Sequence, residues 1–327
     1  MKRLKIALAM AIMALPALKT KMATLATRFV TAILILSYAQ PIMAGPFEDG
    51  YSAYQKQSYA DAIRIWKPLA EQGNMEAQVN LAFIYYNGHG TPQNYKEAAK
   101  LFRLAAEQGH VIAQISLAIM YRDGVGLPKD LSETAKMYKM AGEQGSADAQ
   151  YELGVMFSHG QGVPQNYQEA AKFYGMAVEQ GNIFAQINLG LMYKKGQGIL
   201  QDYKEAVKLF RLAAEQGNAG GQYQLGVTYE NGQGVTQDLV EAALWFKKSA
   251  EQGFHLGQKA IGRAYLLGSG VLQDFVKGYM WLNLAAANGN QQAALLREKL
   301  VTSMTALQIE EAQRLSREWR PQIITNK

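Results

Sequence analysis

The sequence predicts an all-α solenoid built from 36-residue helix pairs, and three observations carry that prediction. The tripeptide Glu-Gln-Gly recurs at Glu71, Glu107, Glu143, Glu179, Glu215 and Glu251, each 36 residues after the last, and Ala287-Asn288-Gly289 continues the series in altered form. Apolar residues between these markers return at helical spacing. Each unit also carries one Gly-x-Gly pair and one helix-start signature at fixed places. Counted from the opening glycine, six repeats run 73–108, 109–144, 145–180, 181–216, 217–252 and 253–288, without insertion or deletion.

Each repeat reads as two helices. Helix A is expected over repeat positions 3 to 15, which in the third unit is Ala147 to His159. There Ala149, Leu153, Met156 and Phe157 fall at i, i+4, i+7 and i+8, one helical face. Ala185, Leu189, Met192 and Tyr193 repeat the pattern one unit later. Position 10 is small throughout (Ala82, Ala118, Gly154, Gly190, Gly226, Gly262). A helical glycine costs about 1 kcal/mol relative to alanine, so a neighbouring helix must pass too close for a larger side chain. Helix A should end at the first glycine of a pair such as Gly160 and Gly162, in the left-handed C-cap conformation, with a second strained turn at the next glycine. A dinucleotide fingerprint would need a third glycine and a preceding strand. The third place holds Gln93, Lys129 or Gln165 instead, and a helix precedes it.

Helix B opens with what reads as a capping box. Asn94, Asp130, Asn166, Asp202 and Asp238 are each followed three residues later by Glu97, Glu133, Glu169, Glu205 and Glu241; the sixth unit keeps Asp274 but has Lys277. Ala170, Phe173, Tyr174 and Ala177 then line one face, and the next repeat's glycine closes the helix.

The motif formed by Ala149, Leu153, Gly154, Phe157, Gly160, Gly162, Val163, Asn166, Glu169, Ala170, Phe173, Tyr174 and Ala177 resembles the Sel-1-like repeat family, a subclass of tetratricopeptide-like repeats. The resemblance covers about 73–288, and more weakly 47–72, where Tyr59 to Trp66 is similar to a helix B without its Gly-x-Gly loop. It implies a right-handed alpha-alpha superhelix with a concave groove, and a role as scaffold or adaptor for other proteins.

A solenoid must be capped. Phe47 to Gln57 and Tyr59 to Gln72 are expected to pair at the N-terminal end. Asn290 to Thr302 and Ala306 to Trp319 are expected at the other, where Thr305 and Gln308 form a capping signal. Residues 1–44 differ from the rest. Apolar runs at Ile6 to Leu18 and Phe29 to Ser37 each follow basic residues, and Ala44 precedes Gly45-Pro46. This reads as a secretory signal cut after Ala44 or Ala39, with Met1 or Met22 as the start. A membrane anchor is the alternative, but neither run reaches the ~18 apolar residues that span a bilayer. Export to the periplasm or beyond is therefore expected, with membrane contact only through the leader.

Charge and composition narrow the function. Six of the 33 basic residues (Lys2, Arg3, Lys5, Lys19, Lys21, Arg28) lie in the leader and no acid precedes Glu48, leaving 27 basic against 27 acidic residues. That balance argues against nucleic acid, whose binding needs a surplus of positive charge. With no cysteine, disulfides, thiolate metal sites and cysteine nucleophiles are excluded. No S-x-x-K, G-x-S-x-G, H-E-x-x-H or phosphate-loop motif occurs. The four histidines (His89, His110, His159, His255) have no metal-ligand spacing. The expectation is a monomer without catalytic residues or cofactor that holds a protein or peptide. Two alternatives are a β-lactam-binding or hydrolysing enzyme, which cysteine-rich exported relatives bring to mind, and a secreted host-interaction factor.

The expected binding surface is the concave face of helix A. Alignment with the tetratricopeptide pattern puts positions 4, 7, 11, 14 and 15 there. Positions 7 and 11 give an apolar floor: Val79 and Phe83, Ile115 and Ile119, Tyr151 and Val155, Ile187 and Leu191, Tyr223 and Val227. Tyr86, Arg122, His159, Lys194 and Arg263 give a variable rim, joined by Asp123, Lys195 and Glu230. Such a trough suits an extended or helical peptide. The same apolar residues could instead pack against the next repeat.

Overall fold

Glycines and polar caps fix where each helix starts and stops. In the computed structural model, which describes residues 45–322, every A helix ends on a left-handed glycine: Gly88, Gly124, Gly160, Gly196, Gly232 and Gly268 have φ between 65° and 72°. No side chain with a Cβ adopts that conformation cheaply. The leader reading and both candidate cleavage sites lie outside the described residues.

Sixteen α-helices and no strand make up the described residues. An N-terminal pair, α1 (Pro46–Gln55) and α2 (Tyr59–Glu71), precedes six A/B pairs. These are α3 (Met75–Asn87) with α4 (Tyr95–Glu107), α5 (Val111–Asp123) with α6 (Leu131–Glu143), and α7 (Ala147–His159) with α8 (Tyr167–Glu179). They continue with α9 (Ile183–Lys195) and α10 (Tyr203–Glu215), α11 (Ala219–Asn231) and α12 (Leu239–Glu251), and α13 (His255–Leu267) and α14 (Phe275–Ala287). A last pair, α15 (Gln291–Val301) and α16 (Ala306–Glu318), follows. The chain divides into two compact units after Gln180, α1–α8 in the first and α9–α16 in the second. Within each, helices pack mainly on their sequence neighbours, the pattern of a helical repeat solenoid.

The small position 10 works as its composition predicts. A Cβ at Gly154 would sit 2.7 Å from the Tyr174 ring, one at Gly190 2.7 Å from Phe210, and one at Gly226 2.6 Å from Phe246. Helix B thus presses a large ring onto the bare backbone of helix A. Tyr174, Phe210 and Phe246 are buried as a result, each contributing about 2 kcal/mol of hydrophobic free energy. The second glycine of the pair has a stronger reason than turn strain. A Cβ at Gly162 would lie 2.0 Å from the carbonyl oxygen of Leu131, the first residue of α6, so this glycine lets one repeat's loop rest on the previous repeat's helix.

The capping boxes are only half formed. Asp130 accepts from the N–H groups of Ser132 and Glu133 at 2.9 and 3.0 Å, and Asn166, Asp202 and Asp238 do the same in their repeats. The reciprocal arm is absent because the cap residue's own N–H is already engaged. Asn94, Asp130 and Asn166 donate it to the carbonyls of Tyr85, Tyr121 and Phe157 on helix A, at 2.8–3.0 Å. Four of the glutamates turn outward to lysines three residues on: Glu97 to Lys100, Glu133 to Lys136, Glu169 to Lys172 and Glu205 to Lys208. The glutamine that displaces a third fingerprint glycine also has a job. The Nε2 groups of Gln93, Gln165, Gln201, Gln237 and Gln273 donate to a last-turn carbonyl of their own helix A at 2.8–2.9 Å.

The ends close on aromatic side chains. Trp66 is buried between Phe47 and Tyr54 and donates Nε1–H to the carbonyl of Phe47 at 3.1 Å. At the other end Trp319 meets Trp281 edge to face, and the Thr305–Gln308 capping box forms with both arms. His89 stacks on Tyr59 at 4.8 Å, and its Nδ1 is buried without a hydrogen-bond partner among the described residues. Burial holds this imidazole below the ordinary histidine range. The unfolded chain therefore takes up the proton first, and stability is full above the ordinary histidine value and declines as pH falls through it. Thermal melts between pH 7 and pH 5 should show a smaller loss of stability in His89→Phe than in the wild type; equal slopes would contradict this.

Candidate partner-binding wall on the A helices

Position 5, 9 and 12 side chains of each helix A face inward. Ala149, Leu153 and Met156 in α7, like Ala185, Leu189 and Met192 in α9, are buried. Positions 4, 7, 11, 14 and 15 lie on the other side of the helix. There the two ends of the predicted floor differ. Val79, Ile115 and Ile119 are only 4%, 4% and 5% exposed, so they belong to the interior of the first unit and offer a partner no surface. Tight stacking of the first repeats covers them. Phe83, Tyr151, Val155, Ile187, Leu191, Tyr223 and Val227 remain half-buried, with an apolar edge toward solvent. Part of each also packs: Phe83 lies edge to face on Phe102 at 5.0 Å, and Tyr223 contacts Phe246 and Phe254 at 5.9 and 5.8 Å.

Two polar contacts along this face join neighbouring repeats, His110 with Glu76 and Arg263 with Glu230. His110 accepts the Ala113 N–H on Nδ1 at 3.3 Å, which leaves the proton on Nε2 to reach Glu76 at 3.4 Å. That hydrogen bond holds the Glu76 carboxyl below the usual range. Arg122 grips its neighbour Asp123 at 2.9 and 3.2 Å. Burial pushes the nearby Glu152 carboxyl up, the Arg122 charge pulls it back, and Asp148 pushes it up again. Tyr86 packs edge to face on Tyr95 at 5.1 Å, and burial raises its hydroxyl. His159 is exposed, with Nδ1 at 2.9 Å from the Val155 carbonyl. Burial pushes the Lys194 ammonium down, helped by adjacent Lys195. Arg263 pairs with Glu230 of the preceding A helix. No three His, Asp or Glu side chains gather as a metal site among the described residues, and no described helix is long and apolar enough to cross a membrane.

One recurring residue was not singled out in the sequence. Position 6 is glutamine in all six repeats (Gln78, Gln114, Gln150, Gln186, Gln222, Gln258), and each is buried. Gln150 is representative. Its Nε2 donates to the Gly142 carbonyl of the previous helix B at 2.9 Å, while its Oε1 accepts from Gln180 Nε2 at 2.7 Å. The middle residue of the Glu-Gln-Gly marker is thus the partner of a buried amide 30 residues earlier. The signal was available as a polar residue repeated on an otherwise apolar stripe.

This repeat geometry matches known proteins. A family model described as Sel1 repeat matches six consecutive segments, 76–110, 111–146, 147–182, 183–218, 219–254 and 255–290. The chain belongs to the Sel1 repeat family. Among solved structures, a Sel1 repeat protein from Oxalobacter formigenes is 31% identical, covering 74% of this chain and 97% of that one, with a TM-score of 0.64. A protective antigen present in uropathogenic Escherichia coli strains and displaying an SLR fold is 28% identical over 91% of this chain and 70% of that one, with a TM-score of 0.57. No curated protein matches the chain. Sel1 repeats are typically protein-interaction scaffolds.

Proposed function

We propose that this Sel1 repeat protein is an exported, non-enzymatic scaffold that holds a partner protein or peptide against the partly exposed face of its A helices. The carrying observation is the row of half-buried apolar side chains Ile187, Leu191, Tyr223 and Val227 on the A helices of the second unit, packed in part on helix B rings and open in part to solvent. Half-burial fixes these side chains by packing and leaves an edge for a ligand, so binding costs little ordering. The basic, apolar leader supports export, in keeping with the likeness to an antigen.

The test is photocrosslinking in the producing cell. A photoreactive phenylalanine analogue at Tyr223 should trap one discrete protein, and the trapped chain should begin at Gly45. The same probe at Leu244, exposed on helix B, should trap none. Val227→Asp should abolish the crosslink at Tyr223 while circular dichroism stays unchanged. Equal trapping at both positions would refute the wall; a retained leader would refute export.

A further inference from the structure

The A-helix wall changes chemistry at its last repeat. Positions 7 and 11 carry Tyr223 and Val227 in the fifth repeat, but Lys259 and Arg263 in the sixth. Beside them α15 contributes Gln292, Leu295, Leu296 and Lys299, and the six side chains line an open depression in the second unit. Lys259 donates to Gln292 Oε1 at 2.9 Å. Neither Lys259 nor Lys299 has a carboxylate partner among the described residues, and only Arg263 has one, Glu230. Three cations thus face a single acid. In their midst Leu295 is 59% exposed. A terminal pair that had only to be soluble would carry polar side chains there.

We propose that this depression is the subsite of the wall that receives an acidic segment of the partner protein, its carboxylates meeting Lys259, Arg263 and Lys299 and an apolar side chain resting on Leu295 and Leu296. The proposal rests on the wall being the binding face and names the chemistry of what binds at one end. Lys259 and Lys299 supply unpaired charge, and Arg263 keeps free N–H donors after engaging Glu230. Leucines beside the charges exclude water and strengthen each ion pair beyond its exposed value. A nucleic acid or an anionic membrane would draw instead on a broad basic surface, whereas the chain from Gly45 onward is balanced at 27 basic and 27 acidic residues.

Fluorescence anisotropy decides the matter with the full exported chain. The probe is a short labelled peptide alternating glutamate and leucine; its comparator replaces every glutamate by glutamine. The glutamate peptide should bind about tenfold tighter, with affinity falling as salt rises. Lys259→Glu with Lys299→Glu should erase that advantage, while the same reversal at exposed Lys204 and Lys208 on α10 should leave it. An equal affinity for both peptides, or full binding by Lys259→Glu/Lys299→Glu, overturns the proposal. So does binding of phosphatidylglycerol vesicles that depends on Lys259 and Lys299 when the peptide does not bind. Val227→Asp separates the two readings. If it abolishes the crosslink at Tyr223 while the lysine reversal changes nothing, the wall stands and the acidic subsite fails.

Discussion

Gly162→Val lowers the stability of the first unit by roughly 3 kcal/mol, read as a lower melting temperature and denaturant midpoint. Two costs add. Gly162 sits at φ 70°, a conformation that costs a side chain with a Cβ about 1–2 kcal/mol. The new Cβ would also start 2.0 Å from the Leu131 carbonyl oxygen. That oxygen belongs to backbone at the start of α6, so relief requires moving one repeat against the next. Gly175 supplies the control: it lies inside α8, and a Cβ there meets nothing within 4 Å. Gly175→Ala should therefore stabilise by about 0.5–1 kcal/mol. Wild-type melting of Gly162→Val would refute the close contact between loop and helix.

Gln150→Leu should cost roughly 1–3 kcal/mol although it adds an apolar side chain to an apolar stripe. Gln150 is 2% exposed, and its amide satisfies the Gly142 carbonyl and the Gln180 side chain. Leucine removes both hydrogen bonds, each worth about 0.5–1.5 kcal/mol: the Gly142 carbonyl keeps only the Gly145 N–H, and the half-buried Gln180 amide loses its acceptor. The exposed Gln168→Leu should lie within about 0.5 kcal/mol of wild type. Equal melts for the two variants would show that the glutamine seam is dispensable.

Much of the fold was legible because it is written six times. The helix A range, the left-handed glycine at its end and the bare backbone at Gly154 all follow from spacing and composition. What escaped were features that a single helix does not contain. Asp130 and Glu133 have the separation of a reciprocal capping box. The N–H that Glu133 would have captured instead reaches Tyr121 on the preceding helix, and no local pattern reports a donor taken from outside. The wall was partly legible for a similar reason. Periodicity puts Ile115, Ile119 and Tyr151 on the same face, but only packing distinguishes the buried isoleucines from the half-open tyrosine. Gln150 is hidden from local pattern because a glutamine between alanine and tyrosine looks like a surface residue until both its amide partners are known.

The amide seam also limits how such a molecule can change its length. Five of these glutamines (Gln78, Gln114, Gln150, Gln222 and Gln258) reach a carbonyl eight residues back and a side chain 30 residues ahead at the same time. One residue gained or lost in either helix rotates the amide by about 100° away from both, as 3.6 residues per turn demands. Single-residue drift is therefore barred, while copying or deleting an entire module restores every partner. Engineered versions should tolerate cutting and splicing at the Glu-Gln-Gly junctions and fail when the cut falls a residue or two inside a helix.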